Sequence, residues 1–396
     1  MNIASLVSHR ASTINGSGIR KVFDLGAKLK DPVNLSIGQP DFPVPASIKA
    51  AAVAAIMNEQ NGYTPTRGIP QLLEPLAAHL KRDLDWDVTG DAAATNVMVT
   101  SGTSGGLILA CMSILNPGDE IIIPDPWFVL YPHMAEICGA KAVPCDTYPD
   151  FKMTAARVKP LITARTKAVL LCSPSNPAGV VTPRAECKEL LELCRERGII
   201  LISDEIYEEF AFRETRDDAA INDPSLTRCP SPARFAGSHE NCLVIRGFGK
   251  SYGVTGWRLG YAAGPKALLA EMIKLQQYMY VCAPTPLQYG AAAALSEDLS
   301  PMVDDYQKRR DLVVQRLGKH TEVPFPGGAF YAFVKVPERL GITATQFFER
   351  ALERNVLVVP GKTFSSRDTH FRISYATPMH KLEEGLRVLS EELARA

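Results

Sequence analysis

The chain has 396 residues, 46% of them hydrophobic, with 43 basic and 43 acidic side chains and a formal net charge of zero. That length suits two intimately joined domains around a large core. Balanced charge without long runs of one sign argues against nucleic acid or an acidic membrane surface as partner, and no apolar run reaches membrane length.

Residues 1 to 34 carry scattered apolar positions and predict an arm with some helix, packed on a partner chain or folded back on its own. The arm has no continuous apolar core or small-residue cleavage site of the kind a secretion signal needs, so a cytoplasmic protein is expected. The strand-like VNLSIG leads into the turn Gly38-Gln39-Pro40-Asp41-Phe42-Pro43, where Gly38 allows close backbone approach to a ligand or serves only as a turn. Helices are predicted over about 45–58 and 70–82, separated by a loop holding Tyr63 and Arg67.

From about residue 95 the pattern alternates between short apolar strands and helices. The strands are NVMVT, EIIIP, KAVPC, KAVLLCSP, IILISDE, CLVIRGF and RLGYAAG. Such alternation argues for a mainly parallel, buried sheet with helices on both faces. Ligands of such sheets sit outside the carboxyl ends of the strands, and polar residues fall at those ends. After NVMVT comes Ser101-Gly102-Thr103-Ser104, a turn opening a helix whose free N–H groups and dipole suit an anion. It matches neither the P-loop spacing nor GxGxxG, so a nucleotide is not the expected ligand. Phe128 follows the EIIIP strand, Asn176 follows KAVLLCSP, and Asp204 and Tyr207 end IILISDE. Each has an ordinary reading as a cap or core residue; together they converge on one edge.

The polar, proline-containing stretch 212–241 is long for a compact domain and predicts a surface excursion, a lid or a partner contact. Next comes Arg246 to Pro265, RGFGKSYGVTGWRLGYAAGP, where Lys250 is the only lysine among four glycines and Arg258 lies eight residues on. A desolvated lysine loses part of its affinity for the proton and becomes a nucleophile towards carbonyls, whereas a solvated one is inert. Arg258 offers a planar, permanently charged fork suited to phosphate. Helices are predicted over 266–280 and about 287–317, followed by strands around PGGAFYAF, VLVVPG and HFRISYA, the last carrying Arg372. A final helix aligns Leu382, Leu386, Leu389 and Leu393 on one face. This later part reads as a smaller α+β domain. Nine scattered cysteines without a CxxC pair predict free thiols in a reducing compartment, and the isolated histidines suggest no metal site.

With SNPAG, SDEIY and GKSYGVTGWRLGY in this order, nearly the whole chain resembles the pyridoxal-phosphate-dependent aminotransferases of classes I and II. The resemblance implies an α/β fold of type I, with a mainly parallel seven-stranded sheet between helices and a smaller α+β domain. The boundaries are then 1–45 for the arm and part of the small domain, 46–285 for the large domain and 286–396 for the small one. It further implies Lys250 as the Schiff-base lysine and proton carrier, Asp204 facing the pyridine nitrogen, and Tyr207 and Asn176 on the phenolic oxygen. Phe128 would stack on the ring. Gly102, Thr103, Ser104 and Arg258 would hold the phosphate, with Tyr63 reaching over from the second subunit of a homodimer. Arg372 would grip the substrate carboxylate, assisted by Asn176 and the backbone near Gly38. The implied reaction moves an amino group between an α-amino acid and a 2-oxo acid; a cysteine-S-conjugate β-lyase is the alternative on the same fold. Three positions depart from the family pattern, one being Gly249, which stands immediately before the lysine where many members carry Ser or Ala. Gly247 stands where many members carry a phosphate-binding hydroxyl, and Thr103 stands where an aspartate-specific branch often has lysine.

Overall fold

The computed structural model describes residues 1–90, 92–218, 223 and 226–395. After a helix at Gly18–Gly26 the chain forms β1 (Val33–Asn34), much shorter than the strand-like sequence around it, and then helices Ala46–Met57 and Pro70–Leu84. The alternating region follows: β2 (Thr95–Thr100), β3 (Glu120–Asp125), β4 (Lys141–Asp146), β5 (Thr166–Cys172), β6 (Ile200–Asp204), β7 (Cys242–Gly247) and β8 (Gly260–Pro265). These are the seven strands expected from the sequence, and they form one sheet in the order β2-β8-β7-β6-β5-β3-β4.

Strands β3, β4, β5, β6 and β7 run parallel, while β8 is antiparallel to both β2 and β7. Residues 248–259, with the short helix Phe248–Ser251, join β7 to β8 and return the chain antiparallel beside it. One edge of the sheet therefore collects the ends of β2, β5, β6 and β7 and the start of β8. Register places Gly260 opposite both Thr100 and Gly247. Alternate strand residues face opposite ways, so Ala168, Leu170, Ile202 and Ile245 enter one apolar cluster while Val169, Leu171, Leu201 and Val244 enter the other.

The later part holds β9 (Tyr331–Lys335), β10 (Val356–Leu357), β11 (Val359–Pro360) and β12 (His370–Ser374). Strands β11, β12 and β9 form an antiparallel sheet, and β10 pairs in parallel with β1, which ties the arm to this region. All four leucines of the Met379–Leu393 helix are buried. Each contributes about 2 kcal/mol relative to exposure. The helical stretch expected over 287–317 is two helices, Thr285–Ala294 and Ser300–Leu317. The second starts where the Asp298 carboxylate accepts from the Ser300 N–H at 2.9 Å and Pro301 fills the first turn. Among the described residues no helix is long and apolar enough to cross a membrane.

The stretch 212–241 corrects the expectation of a surface excursion in part, at its described residues; residues 219–222, 224 and 225 lie outside the described ones. Phe212, Asp217, Thr227, Ser231 and Ala233 are buried. Arg234 meets Asp83 at 2.6 Å, Arg184 meets Asp217 at 2.7 Å, and the Arg310 guanidinium lies 4.9 Å from the Phe212 ring centroid. Internal ion pairs turn a polar sequence inward, which hydropathy cannot register. Arg213, Glu214, Asp218, Asp223, Ala236 and Glu240 remain exposed, and none of the described residues of this stretch lines the candidate site.

Arg246, fully buried, centres this network, with Nη1 2.8 Å from Asp83 and Nε donating to Glu205 at 2.9 Å. Burial alone would raise the Asp83 carboxyl, but Arg246 and Arg234 hold it well below the usual carboxylate range. Removing one partner of such a set strands the others in low dielectric. Arg246→Ala is therefore expected to lower unfolding free energy by about 3–5 kcal/mol, measured by urea denaturation; a loss under about 1 kcal/mol would show that water reaches the carboxylates.

Candidate active site

The sheet edge opens into a cavity of about 470 Å³ lined by Gly38, Gly102, Thr103, Ser104, Phe128, Asn176, Asp204, Tyr207, Lys250, Arg258 and Arg372, among others. Residues spread over more than three hundred positions meet there because each lies near a strand end or sits in β12.

Lys250 lies in the short helix Phe248–Ser251 directly after β7, and its Nζ donates to the Gly38 carbonyl. Burial, followed by the cationic neighbours Arg372 and Arg258, lowers its pKa to about 8. Asp204 ends β6 and is 3% exposed. Its Oδ2 accepts from the Tyr131 hydroxyl at 2.8 Å and its Oδ1 from the Ile206 N–H at 3.3 Å. Burial still outweighs these bonds and raises the carboxyl to about 6. Tyr207 is buried, with its hydroxyl 3.0 Å from that of Tyr331; burial pushes its pKa well above the ordinary tyrosine value.

Arg372, in the middle of β12, is 1% exposed. Its Nη1 donates to Asn176 Oδ1 at 2.9 Å and its Nη2 to the Ser36 carbonyl at 2.7 Å, leaving Nε without a partner. The guanidinium lies 4.6 Å from the Tyr331 ring centroid and 4.8 Å from that of Phe364. A cation held by neutral acceptors and aromatic faces, with no carboxylate on it, is a receptor for an incoming anion.

Gly102 opens the Gly102–Ile114 helix at φ +68°, and a Cβ there would stand 2.7 Å from Arg258 Nη2. The missing side chain leaves a cradle between helix N–H groups, the Thr103 and Ser104 hydroxyls and the Arg258 guanidinium. Gly247 has a spatial explanation. A Cβ on it would lie 2.9 Å from both the Thr103 methyl and Ile206 Cδ1, so the space another side chain would need is already filled. Phe128 lies edge-on to Tyr131 with ring centroids 5.7 Å apart. An amine, a buried carboxylate, an aromatic wall and an anion cradle together suit a phosphorylated, carbonyl-bearing ring.

Tyr63 stands apart from the others. It is 88% exposed and does not line this chain's cavity. Its loop is anchored nevertheless, since Thr285 Oγ1 donates to the Gly62 carbonyl at 2.7 Å and Gln276 Nε2 to the Thr66 carbonyl at 2.8 Å.

Tyr131, Tyr331, Ser36 and the helix residues Ile19, Arg20 and Phe23 also line the cavity or hold its members, and the sequence reading did not single them out. Tyr131 had a findable signal, three residues after Phe128 at the start of a helix, a spacing that keeps two side chains neighbours. Tyr331 and the Gly18–Gly26 helix had none, because only the return of distant chain brings them to the edge.

The chain matches the family model described as aminotransferase class I and II over residues 30–389. It is 35% identical over 390 residues to the aspartate aminotransferase of Pyrococcus abyssi, covering 96% of each chain. To the aromatic-amino-acid aminotransferase 2 of Thermococcus litoralis it is 32% identical over 390 residues, again covering 96% of each. A solved structure of Thermus thermophilus aspartate aminotransferase with maleate superposes with a TM-score of 0.88 at 32% identity, covering 98% of this chain and 99% of that one.

Proposed function

The chain belongs to the class I and II aminotransferases, enzymes that move an amino group between an α-amino acid and a 2-oxo acid, and from that membership we propose how its residues divide the work. The carrying observation is Lys250, with its lowered proton affinity, set in one cavity with Asp204, the Gly102 cradle and a carboxylate-free Arg372. The β-lyase alternative finds no support among the relatives named above, which are aminotransferases.

The cofactor is pyridoxal 5′-phosphate, and the donor set fits it. Gly102, Thr103, Ser104 and Arg258 take the phosphate in a cradle that a Cβ would close. Asp204, held in place by Tyr131, would serve as counter-ion to the ring nitrogen. Tyr207 and Asn176 donate to the phenolic oxygen; the Asn176 carbonyl is already engaged by Arg372, which leaves its N–H₂ for that role. Phe128, which lines the cavity, would provide an aromatic wall for the ring. When bound, the cofactor supplies an electron sink for charge developing at the substrate Cα.

Lys250 would supply the amine that anchors the cofactor's carbonyl group and the base for the substrate's Cα proton. A lysine with a pKa of about 8 is neutral in about a tenth of molecules at pH 7, against fewer than about one in a thousand at its ordinary value. Arg372 takes the substrate α-carboxylate, with Asn176 and the Gly38 backbone alongside. Fixing that carboxylate sets which Cα bond faces the ring, so Arg372 contributes orientation as well as affinity.

The assembly is a homodimer in which Tyr63 reaches the partner's phosphate site. Supporting this, Val53, Ile56, Met57, Tyr278 and Met279 expose apolar surface on the two helices next to the anchored Tyr63 loop.

Mixed with a single amino acid and no acceptor, the holoprotein should release one equivalent of 2-oxo acid per chain and then stop until a 2-oxo acid is added. Continuous release of pyruvate and ammonia without an acceptor would overturn the reading. A panel of acidic, aromatic and aliphatic donors in the same assay ranks the substrates.

A further inference from the structure

We propose that Tyr331 is a positioning residue with two separable tasks: its ring sets the plane of the Arg372 guanidinium, and its hydroxyl directs the Tyr207 proton towards the cofactor's phenolic oxygen. The inference rests on the roles given above to Arg372 and Tyr207.

Tyr331 is the first residue of β9 and is 1% exposed. In the β9–β12 register it lies opposite Ser374 while Arg372 lies opposite Phe333. The tyrosine and the arginine are thus diagonal neighbours on one face, within reach of long side chains. The 4.6 Å approach of the guanidinium to the ring is the result. With only the Asn176 and Ser36 oxygens holding its Nη atoms, the guanidinium depends on flat surfaces to stop it rotating out of the plane that a carboxylate requires, and Tyr331 is the nearer of the two rings against it, Phe364 the other.

The hydroxyl works on the other neighbour. The Tyr331 and Tyr207 oxygens are 3.0 Å apart, close enough for one proton to be shared in one direction. A phenolic oxygen bearing negative charge in the cavity requires Tyr207 to donate, so Tyr331 must donate to Tyr207. A hydroxyl that accepts one hydrogen bond becomes a stronger donor in the next. Gly38 makes room for this arrangement, because a Cβ on it would stand 2.4 Å from the Tyr331 oxygen. Of the charged and titratable groups, Arg372 and Cys172 act on both hydroxyls, and Lys250, Arg258, Asp204 and Tyr131 line the same cavity.

Two readouts separate the tasks. One is the pH midpoint of the holoprotein's visible absorption, which reports how strongly the phenolic oxygen holds the neighbouring proton. The other is the affinity for 3-phenylpropanoate, a carboxylate without an amino group, measured by calorimetry. Tyr331→Phe keeps the ring and loses the hydroxyl; it should raise the pH midpoint by about half a unit and leave 3-phenylpropanoate affinity within about twofold. Tyr331→Leu loses both and should also weaken that affinity about fivefold to tenfold. Tyr207→Phe should raise the midpoint further, and adding Tyr331→Phe to it should move the midpoint no more.

If Tyr207→Phe shifts the midpoint and Tyr331→Phe does not, or if the two shifts add, the hydroxyl task is overturned. An unmoved midpoint in Tyr207→Phe would instead overturn the role given to Tyr207 itself. Wild-type affinity for 3-phenylpropanoate in Tyr331→Leu overturns the ring task. Should Tyr331→Leu not fold, a phenylpropanoate affinity reduced more than about threefold in Tyr331→Phe would overturn the assignment of that task to the ring.

Discussion

Replacing Lys250 with alanine should lower transamination by about ten-thousand-fold, the upper end of what a positioned proton carrier contributes. It should also abolish the visible absorption of pyridoxal phosphate held on the chain, along with borohydride-dependent fixation of the cofactor. Two losses are expected because one amine has two jobs, and among the described residues Lys250 is the only lysine lining the cavity. Global unfolding is not the cause to expect, since the side chain's one recorded hydrogen bond is to the Gly38 carbonyl. The pH dependence of the apoprotein supplies an independent check. A lysine lowered from 10.5 to about 8 in the fold releases its proton before the unfolded chain does. Between those values the unfolded state binds more protons, so stability rises with pH across that window. Lys250→Ala should lose this rise. Persistence of the visible band or of borohydride fixation in the variant would sink the assignment of the lysine.

Asp204→Ala should leave the cofactor bound yet slow Cα proton removal by about a hundredfold to a thousandfold, as expected when one preorganised electrostatic partner is removed. The alanine also strands the buried Tyr131 hydroxyl, at a stability cost of about 1–3 kcal/mol. Asp204→Asn is therefore the cleaner test, because it keeps an acceptor for Tyr131 at the same place and removes only the charge. Burial raises the carboxyl to about 6, so in the apoprotein it is a carboxylate above that pH and a neutral acid below it. Cofactor association with the wild type should weaken as pH falls through about 6, and the component due to Asp204 should vanish in the asparagine variant. A nearly unchanged rate of proton removal in either variant would contradict the counter-ion role.

The site residues that could be read ahead of the fold share a local cause. Gly102 to Ser104, Phe128, Asn176, Asp204, Tyr207 and Lys250 each follow an apolar strand, and a parallel sheet delivers strand ends to one edge whatever its strand order. The inward turn of 212–241 could not be read in this way. Its charges resemble a solvated surface until Arg234 and Arg184 are seen to meet Asp83 and Asp217, partners that lie far away along the chain.

By itself the sequence determined the seven strands and those cavity residues that follow them, because hydrophobic periodicity and turn chemistry act over a few residues. Tertiary structure alone decided the antiparallel placement of β8, which puts Arg258 beside the Gly102 turn. It also decided that Thr103 fills the space beside Gly247, that Tyr131 steadies Asp204, and that Tyr331 stands between Arg372 and Tyr207. The physical reason is range: propensity and periodicity are short-range properties of the chain, whereas a contact across 73 or 124 residues exists only after packing has closed the loop between them.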